Sequence, residues 1–145
     1  DVAVSEQQFV GARALWEVSG IRELFLTQGT PNNIGLSSIA GWSHPITVED
    51  PVGLHMSLGS GGRQIRAPIA PGLIVPVGIS RVHLIQPGER IPIRHAPAML
   101  ALDGERELLV RPGERWEVAL SWDGPKVLDV GRTLFLAQRQ GLHHG

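Results

Sequence analysis

No apolar run in this chain goes far before a glycine or a proline stops it, and this constrains the fold more than any other feature. Glycine weakens a helix or strand interior through its backbone freedom, and proline removes a backbone donor. Eighteen glycines and eleven prolines stand between the short apolar segments. That spacing predicts an all-β sandwich or barrel. A chain of 145 residues fits one domain, 1–145, with volume for a sizeable core.

The clearest strand is "RWEVALSW" (115–122). Trp116, Val118, Leu120 and Trp122 fall on one face and Glu117, Ala119 and Ser121 on the other, the alternation of a half-buried strand. "ISRVHLI" (79–85), "AMLAL" (98–102), "RELLV" (106–110) and "RTLFLAQ" (132–138) are read as strands as well. Weaker candidates are "LHMSL" (54–58), "RQIRA" (63–67) and "GLIVPV" (72–77), the last marked by Pro76 as an edge or a strand end. "QPGER", "DGER", "RPGER" and "WDGPK" supply turns between them. The repeated "PGER" reads as shared turn chemistry rather than a structural repeat.

The first 45 residues differ. "SEQQFVGARALWEV" predicts a helix with Ser5 as N-cap and Phe9, Ala12 and Trp16 at helical spacing. "IRELFLT" (21–27) reads as a strand, and "PNNIGLSSIAGW" (31–42) as a loop running into a short helix. The expected fold is therefore mainly β, with one or two short helices near the N-terminus.

The acidic tip "LDGERE" poses a register problem. A two-residue Asp103-Gly104 turn sets Leu102 against Glu105 and Leu100 against Glu107, bringing both glutamates onto the leucine face, which is costly if that face is core. A three-residue loop, Asp103-Gly104-Glu105, pairs Leu100 with Leu108 and Ala98 with Val110 instead. The apolar sets then coincide, and a slip of one residue makes the difference. The second register is the expectation, with Asp103 and Glu105 at a tip facing solvent or a neighbouring cleft.

Two Gly-rich stretches admit two readings each. In "GTPNNIGLSSIAG" (29–41), small residues before a helix let a ligand approach the backbone, with Ser37 and Ser38 as hydroxyl donors. The plainer reading is a capped helix with glycines at tight turns. Neither "GxxxxGK" nor "GxGxxG" is present. "LGSGGRQIRAP" (58–68) is either an anion-binding loop using Arg63 and Arg66 or a flexible hairpin turn.

The bulk numbers narrow the classes of partner. Thirteen basic and fourteen acidic side chains leave a net charge of -1 with no basic stripe, so no nucleic-acid partner is expected. The six histidines form no HExxH or other metal spacing, so no metal site is expected. There is no cysteine, no G-x-S-x-G elbow and no apolar run of the roughly 18 residues a membrane span needs. No charged segment leading into an apolar one marks a signal peptide. The expected location is the cytoplasm, away from membranes.

Several phrases together, "AVSEQQFVGARALW", "IGLSSIAG", "RAPIAPG" and "LALDGERE", resemble the C-terminal half of the ATP-NAD kinase superfamily, in particular its AcoX-like branch, named for acetoin catabolism. The likeness runs over nearly the whole chain. It implies a β-sandwich-like domain of the NAD-kinase C-terminal type, which works with an N-terminal α/β domain bearing a Gly-Gly-Asp-Gly motif. The active site of such kinases lies between the two domains and takes NAD and ATP with Mg²⁺. The C-terminal domain supplies NAD-binding surface and subunit contacts, which implies a homo-oligomer.

By the same resemblance, Gly35, Ser37, Ser38 and Gly41 correspond to the Gly-Ser-Thr-Ala-Tyr segment and would contact ligand phosphate or ribose. This chain departs from that segment in having no tyrosine. Arg13 is a further anion-binding candidate. Asp103 and Glu105, in a "DGE" similar to that of related lipid kinases, would be catalytic, orienting Mg²⁺ or the accepting hydroxyl. Nothing in the chain reads Gly-Gly-Asp-Gly, and phosphoryl transfer depends on positioning and metal-assisted charge stabilisation. The expectation is a ligand-binding domain, inactive alone and completed by an α/β partner. The rival from another class is a non-catalytic β-sandwich used for assembly or regulation.

Overall fold

The structure, a computed structural model, describes residues 1–6, 17–124 and 126–142. Its centre is an antiparallel six-stranded sheet in the order β4-β3-β2-β1-β6-β7. The strands are β1 (Val2–Ser5), β2 (Ile21–Leu26), β3 (Gly53–Ala70), β4 (Leu73–Ile85), β6 (Ala98–Leu102) and β7 (Arg106–Val110). A separate ribbon pairs β5 (Arg90–Pro92) with β8 (Glu117–Ala119). Among the described residues helices are few: α1 (Ser37–Gly41), α2 (Val130–Arg139) and a 3-10 turn at Val18–Gly20. Mainly β is the correct class.

Strand alternation gives the sheet two apolar faces, and each is covered. On one face Ala3, Leu24, Met56 and Ala101 pack with Leu36, Ile39 and Ala40 around α1 and with Ala67, Ile69 and Val77 of the β3–β4 arm. On the other, Val4, Phe25, Leu100 and Val110 pack with Ile91 of β5 and with Trp116, Val118 and Leu120. The long β3–β4 hairpin thus serves twice, as sheet strands near its base and as a cover near its tip.

The "LDGERE" register is as the apolar pattern requires: Ala98 pairs with Val110 and Leu100 with Leu108. Asp103 and Gly104 both hold positive φ, 52° and 73°, and the Glu105 N–H donates to the Leu102 carbonyl at 3.1 Å. The Asp-Gly pair therefore makes the tight turn its chemistry favours. Glu105 is the extra residue that shifts the register by one. The two "PGER" phrases also share one turn. Gly88 and Gly113 lie at φ 79° and 84°, and Glu89 Oε2 and Glu114 Oε2 accept from the backbone N–H groups of Gln86 and Arg111 at 2.8 and 3.0 Å. Proline followed by positive-φ glycine is the type II pattern.

Three expectations are corrected. "RTLFLAQ" lies in helix α2, not a strand, because Asp129 caps it by accepting from the Arg132 N–H at 2.8 Å and its interior holds strong helix formers. A helix therefore lies near the C-terminus as well as near the N-terminus. "LGSGGRQIRAP" is not a hairpin turn but part of β3, with residues 59–62 looped out where Leu58 and Arg63 both face Ile79. "RWEVALSW" is strand only over Glu117–Ala119, although Trp116, Val118 and Leu120 do face the core. Ser5 ends strand β1, its hydroxyl donating to the Gly20 carbonyl at 3.2 Å; the rest of the predicted helix falls largely on residues 7–16, outside the described ones. Pro76 does sit on an edge strand, β4. Among the described residues no helix is long and apolar enough to cross a membrane.

Candidate functional site

The two segments singled out on either side of the chain meet. Gly35 and Ser37, at the start of α1, and Asp103 and Gly104, at the β6–β7 tip, line one cleft of about 240 Å³. Strands β1, β2 and β6 provide its floor through Val2, Ala3, Leu24 and Ala101, and Ile69 of the β3 arm provides a wall. The path from sequence to site is direct. The slipped hairpin register fixes where Asp103 stands, and the pairing of β6 with β1 sets that tip beside the start of the sheet.

Each predicted residue has a definite place. Gly35, at φ 94°, has nothing within 4 Å of where a Cβ would project, and its N–H already donates to the Pro68 carbonyl at 3.0 Å. Ser37 is half-buried in the cleft wall. Ser38 is buried and turned inward, its hydroxyl donating to the Gly35 carbonyl at 2.6 Å. A Cβ on Gly41 would stand 2.2 Å from the Thr30 carbonyl oxygen, so this glycine lets the loop at Thr30 pack on α1. Glu105 is exposed at the tip and is not among the lining residues. Arg13 lies outside the described residues.

The cleft has an apolar floor and an acidic rim. Asp103 accepts from the backbone nitrogen of Asp1. Among the described residues Asp1 and Asp103 are the charged lining side chains, and no lysine, arginine or histidine lines the cleft with them. Such a site suits a ligand that offers hydroxyl or other donor groups to Asp103 and an apolar surface to the floor. Its volume lies below the roughly 300–1,000 Å³ of most small-molecule pockets. A cleft of this size has room for a small ligand, or for one part of a larger one. Arg63 and Arg66 are exposed and lie apart from it.

A second polar cluster was not foreseen. Glu23 and His55 are buried, and their side chains meet at 2.8 Å. The other Glu23 oxygen accepts from the Arg94 N–H at 2.9 Å and lies 2.9 Å from His95 Nδ1. Burial pushes Glu23 up, but the hydrogen bonds from His55, His95 and Arg94 outweigh it and bring its carboxyl down to about 2. His55 also stacks on Phe25, ring centroids 4.4 Å apart. Both carboxylate oxygens are thus occupied by the protein's own donors, so Glu23 acts as an anchor tying β2 to β3 and to the segment before β6. The sequence carried a signal for it. Alternation in "IRELFLT" puts Glu23 on the face of Ile21 and Phe25, where a carboxylate needs a partner. Linear spacing between histidines could not supply that partner, because cross-strand register brings His55 opposite Phe25 and His83 opposite His55. Among the described residues no group of three or more histidine, aspartate or glutamate side chains is arranged to hold a metal ion.

Comparison with known proteins locates the chain. The family model of the acetoin catabolism protein X C-terminal domain matches residues 1–123. The chain is 34% identical over 147 aligned residues to acetoin catabolism protein X of Cupriavidus necator. That alignment covers 99% of this chain and 40% of the relative, so the chain spans about two fifths of the relative's length. No solved structure matches.

Proposed function

The chain belongs to the acetoin catabolism protein X C-terminal domain family, and on that premise we propose that it is the ligand-facing half of an ATP-NAD kinase-like phosphotransferase. The observation that carries this reading is the cleft. Segments 35–37 and 103–104, separated along the chain and each marked by its own motif, converge on one concave surface. In this reading Asp103 orients the accepting hydroxyl or a Mg²⁺ ion, and Ser37 contacts ligand ribose or phosphate. An α/β domain supplies the phosphate cradle, with NAD and ATP as the nucleotides. The small volume and acidic rim of the cleft fit half a site, which a second domain closes and supplies with positive charge. The whole protein would act, like the relative whose name it shares by family, in acetoin catabolism.

The test is phosphoryl transfer from ATP–Mg²⁺ to NAD by this domain together with its α/β partner. Asp103→Asn should lower the rate by about a hundredfold, and Glu105→Gln, outside the cleft lining, by less. Unchanged rates for both variants in an active protein would remove these carboxylates from the mechanism. An assembly role draws support from exposed Leu108 and Leu109 on β7. Under that role alone, calorimetry with NAD, ATP and NADP should stay silent even with the α/β domain present.

A further inference from the structure

The two edges of the main sheet are not alike. Edge strand β4 carries Pro76 within it and irregular pairing along its length, both devices that discourage another strand from adding on. Edge strand β7, "RELLV", has neither: its pairing with β6 is regular from Arg106 to Val110. Arg106, Glu107, Leu108 and Leu109 are all exposed, with Leu108 39% and Leu109 46% accessible. A regularly paired edge strand with two exposed leucines, and with no strand on its outer side among the described residues, is a template for strand addition.

We propose that β7 pairs antiparallel with β7 of a second copy of this chain, about a two-fold axis through Leu108. Charge selects both the occupant and the register. Self-pairing centred on Arg106 or Glu107 sets like charges directly opposite each other, which is destabilising. Centring on Leu109 carries the pairing beyond Val110 into Pro112, which has no N–H to give. Centring on Leu108 uses the whole strand. Leu108 then meets Leu108 of the second copy, Arg106 lies across from Val110, and Glu107 from Leu109. Beyond the strand ends Glu105 comes opposite Arg111, twice by symmetry, with Glu107 on the diagonal to the same arginine. Arg111 is largely exposed, and its intramolecular ion pair with Glu114 is a long one at 3.7 Å, so its guanidinium can also reach Glu105 of the second copy. The pairing also carries a guanidinium to the tip that holds Asp103, on the rim of a cleft lined by no basic side chain among the described residues.

The test is sedimentation equilibrium of the chain over a wide concentration range, with far-UV circular dichroism to confirm that each variant folds. The wild type should show a concentration-dependent monomer–dimer equilibrium. Leu108→Lys, a gatekeeper charge on the edge, should weaken it by roughly tenfold or more. Glu105→Arg and Arg111→Glu change only exposed side chains. Each alone should weaken dimerisation, and mixing the two should restore it, since both ion pairs reform in the mixed dimer. A chain that stays monomeric throughout overturns the proposal, as does a dimer indifferent to Leu108→Lys. Failure of the mixture to recover overturns the register. Pairing of β7 with an α/β domain instead of a second copy would appear as protection of residues 106–110 without self-association, and that also overturns it.

Discussion

Glu23 Oε2 and His55 Nε2 lie 2.8 Å apart with neither residue reachable by solvent. An ionised Glu23 accepts there, so the His55 Nε2 carries the proton. Because the folded carboxyl sits at about 2 against 4.5 for the free group, the anchor stabilises the fold fully above about pH 4.5. That contribution is lost as pH falls from there towards 2, when the folded form must also take up a proton. The loss is on the order of 3 kcal/mol. Urea unfolding between pH 7 and pH 3 should show about 2 kcal/mol of that fall, and Glu23→Gln should flatten it. An equally steep fall in Glu23→Gln would place the acid sensitivity elsewhere.

Removing the anchor should cost more than neutralising it. Glu23→Ala leaves His55, the Arg94 N–H and His95 without their shared acceptor, and breaking a buried charged network costs about 3–5 kcal/mol. Glu23→Gln keeps the shape and one acceptor oxygen, and His55 can change tautomer to meet the amide. Thermal unfolding should rank wild type above Gln above Ala. Equal melting temperatures for Gln and Ala would mean that loss of the charge, not the cavity or the missing acceptor, dominates.

Close backbone approach at the β3 bulge makes a matched pair of substitutions informative. A Cβ on Gly62 would stand 2.0 Å from the Ile79 carbonyl oxygen and 2.5 Å from the Ser80 nitrogen, whereas one on Gly61 would meet nothing within 4 Å. Gly62→Ala must push two backbones apart and should cost about 3 kcal/mol or more, while Gly61→Ala should stay within about 0.5 kcal/mol of wild type. Chemical denaturation of the two proteins compares them directly.

The β6–β7 tip allows charge and conformation to be separated. Asp103 holds φ 52°, a region asparagine also tolerates and β-branched residues do not. Asp103→Asn should fold like wild type to within about 0.5 kcal/mol, so its activity reports the carboxylate. Asp103→Val should lose about 1–2 kcal/mol. A stability loss in Asp103→Asn as large as in the valine variant would show that the carboxylate itself holds the tip together.

Strand identity was legible wherever the local pattern and the tertiary partner agree. "AMLAL" and "RELLV" are short apolar runs that flank an Asp-Gly turn, and they appear as β6 and β7 with the anticipated ends and register. Long-range information was out of reach. Nothing local in "LGSGGRQ" says that its glycines lie in a strand, because the reason is the backbone of Ile79 across the hairpin. Glu23, His55 and His95 could be gathered only by knowing which strands are neighbours. The cleft stands between these cases: its motifs could be picked out locally, and their convergence could not. In "RTLFLAQ" the short apolar run misled, because none of that segment is buried to make a strand worthwhile and the Asp129 cap favours a helix.

Helix α2 gives the last prediction. None of its residues is buried, and Leu134 and Phe135 are 65% and 61% exposed. Neither apolar cluster includes a residue beyond Leu120, and the family match ends at residue 123. The helix therefore draws its stability from local capping and propensity rather than from burial, and a helix this short is marginal on those terms alone. Ending the chain at residue 123 should leave the melting temperature of the β domain within about 2 °C of wild type. It should also remove a region of fast amide exchange, since helices without tertiary packing open at little free-energy cost. A drop of 5 °C or more on truncation, or slow exchange within 130–139, would show that α2 is held against a surface of the folded chain.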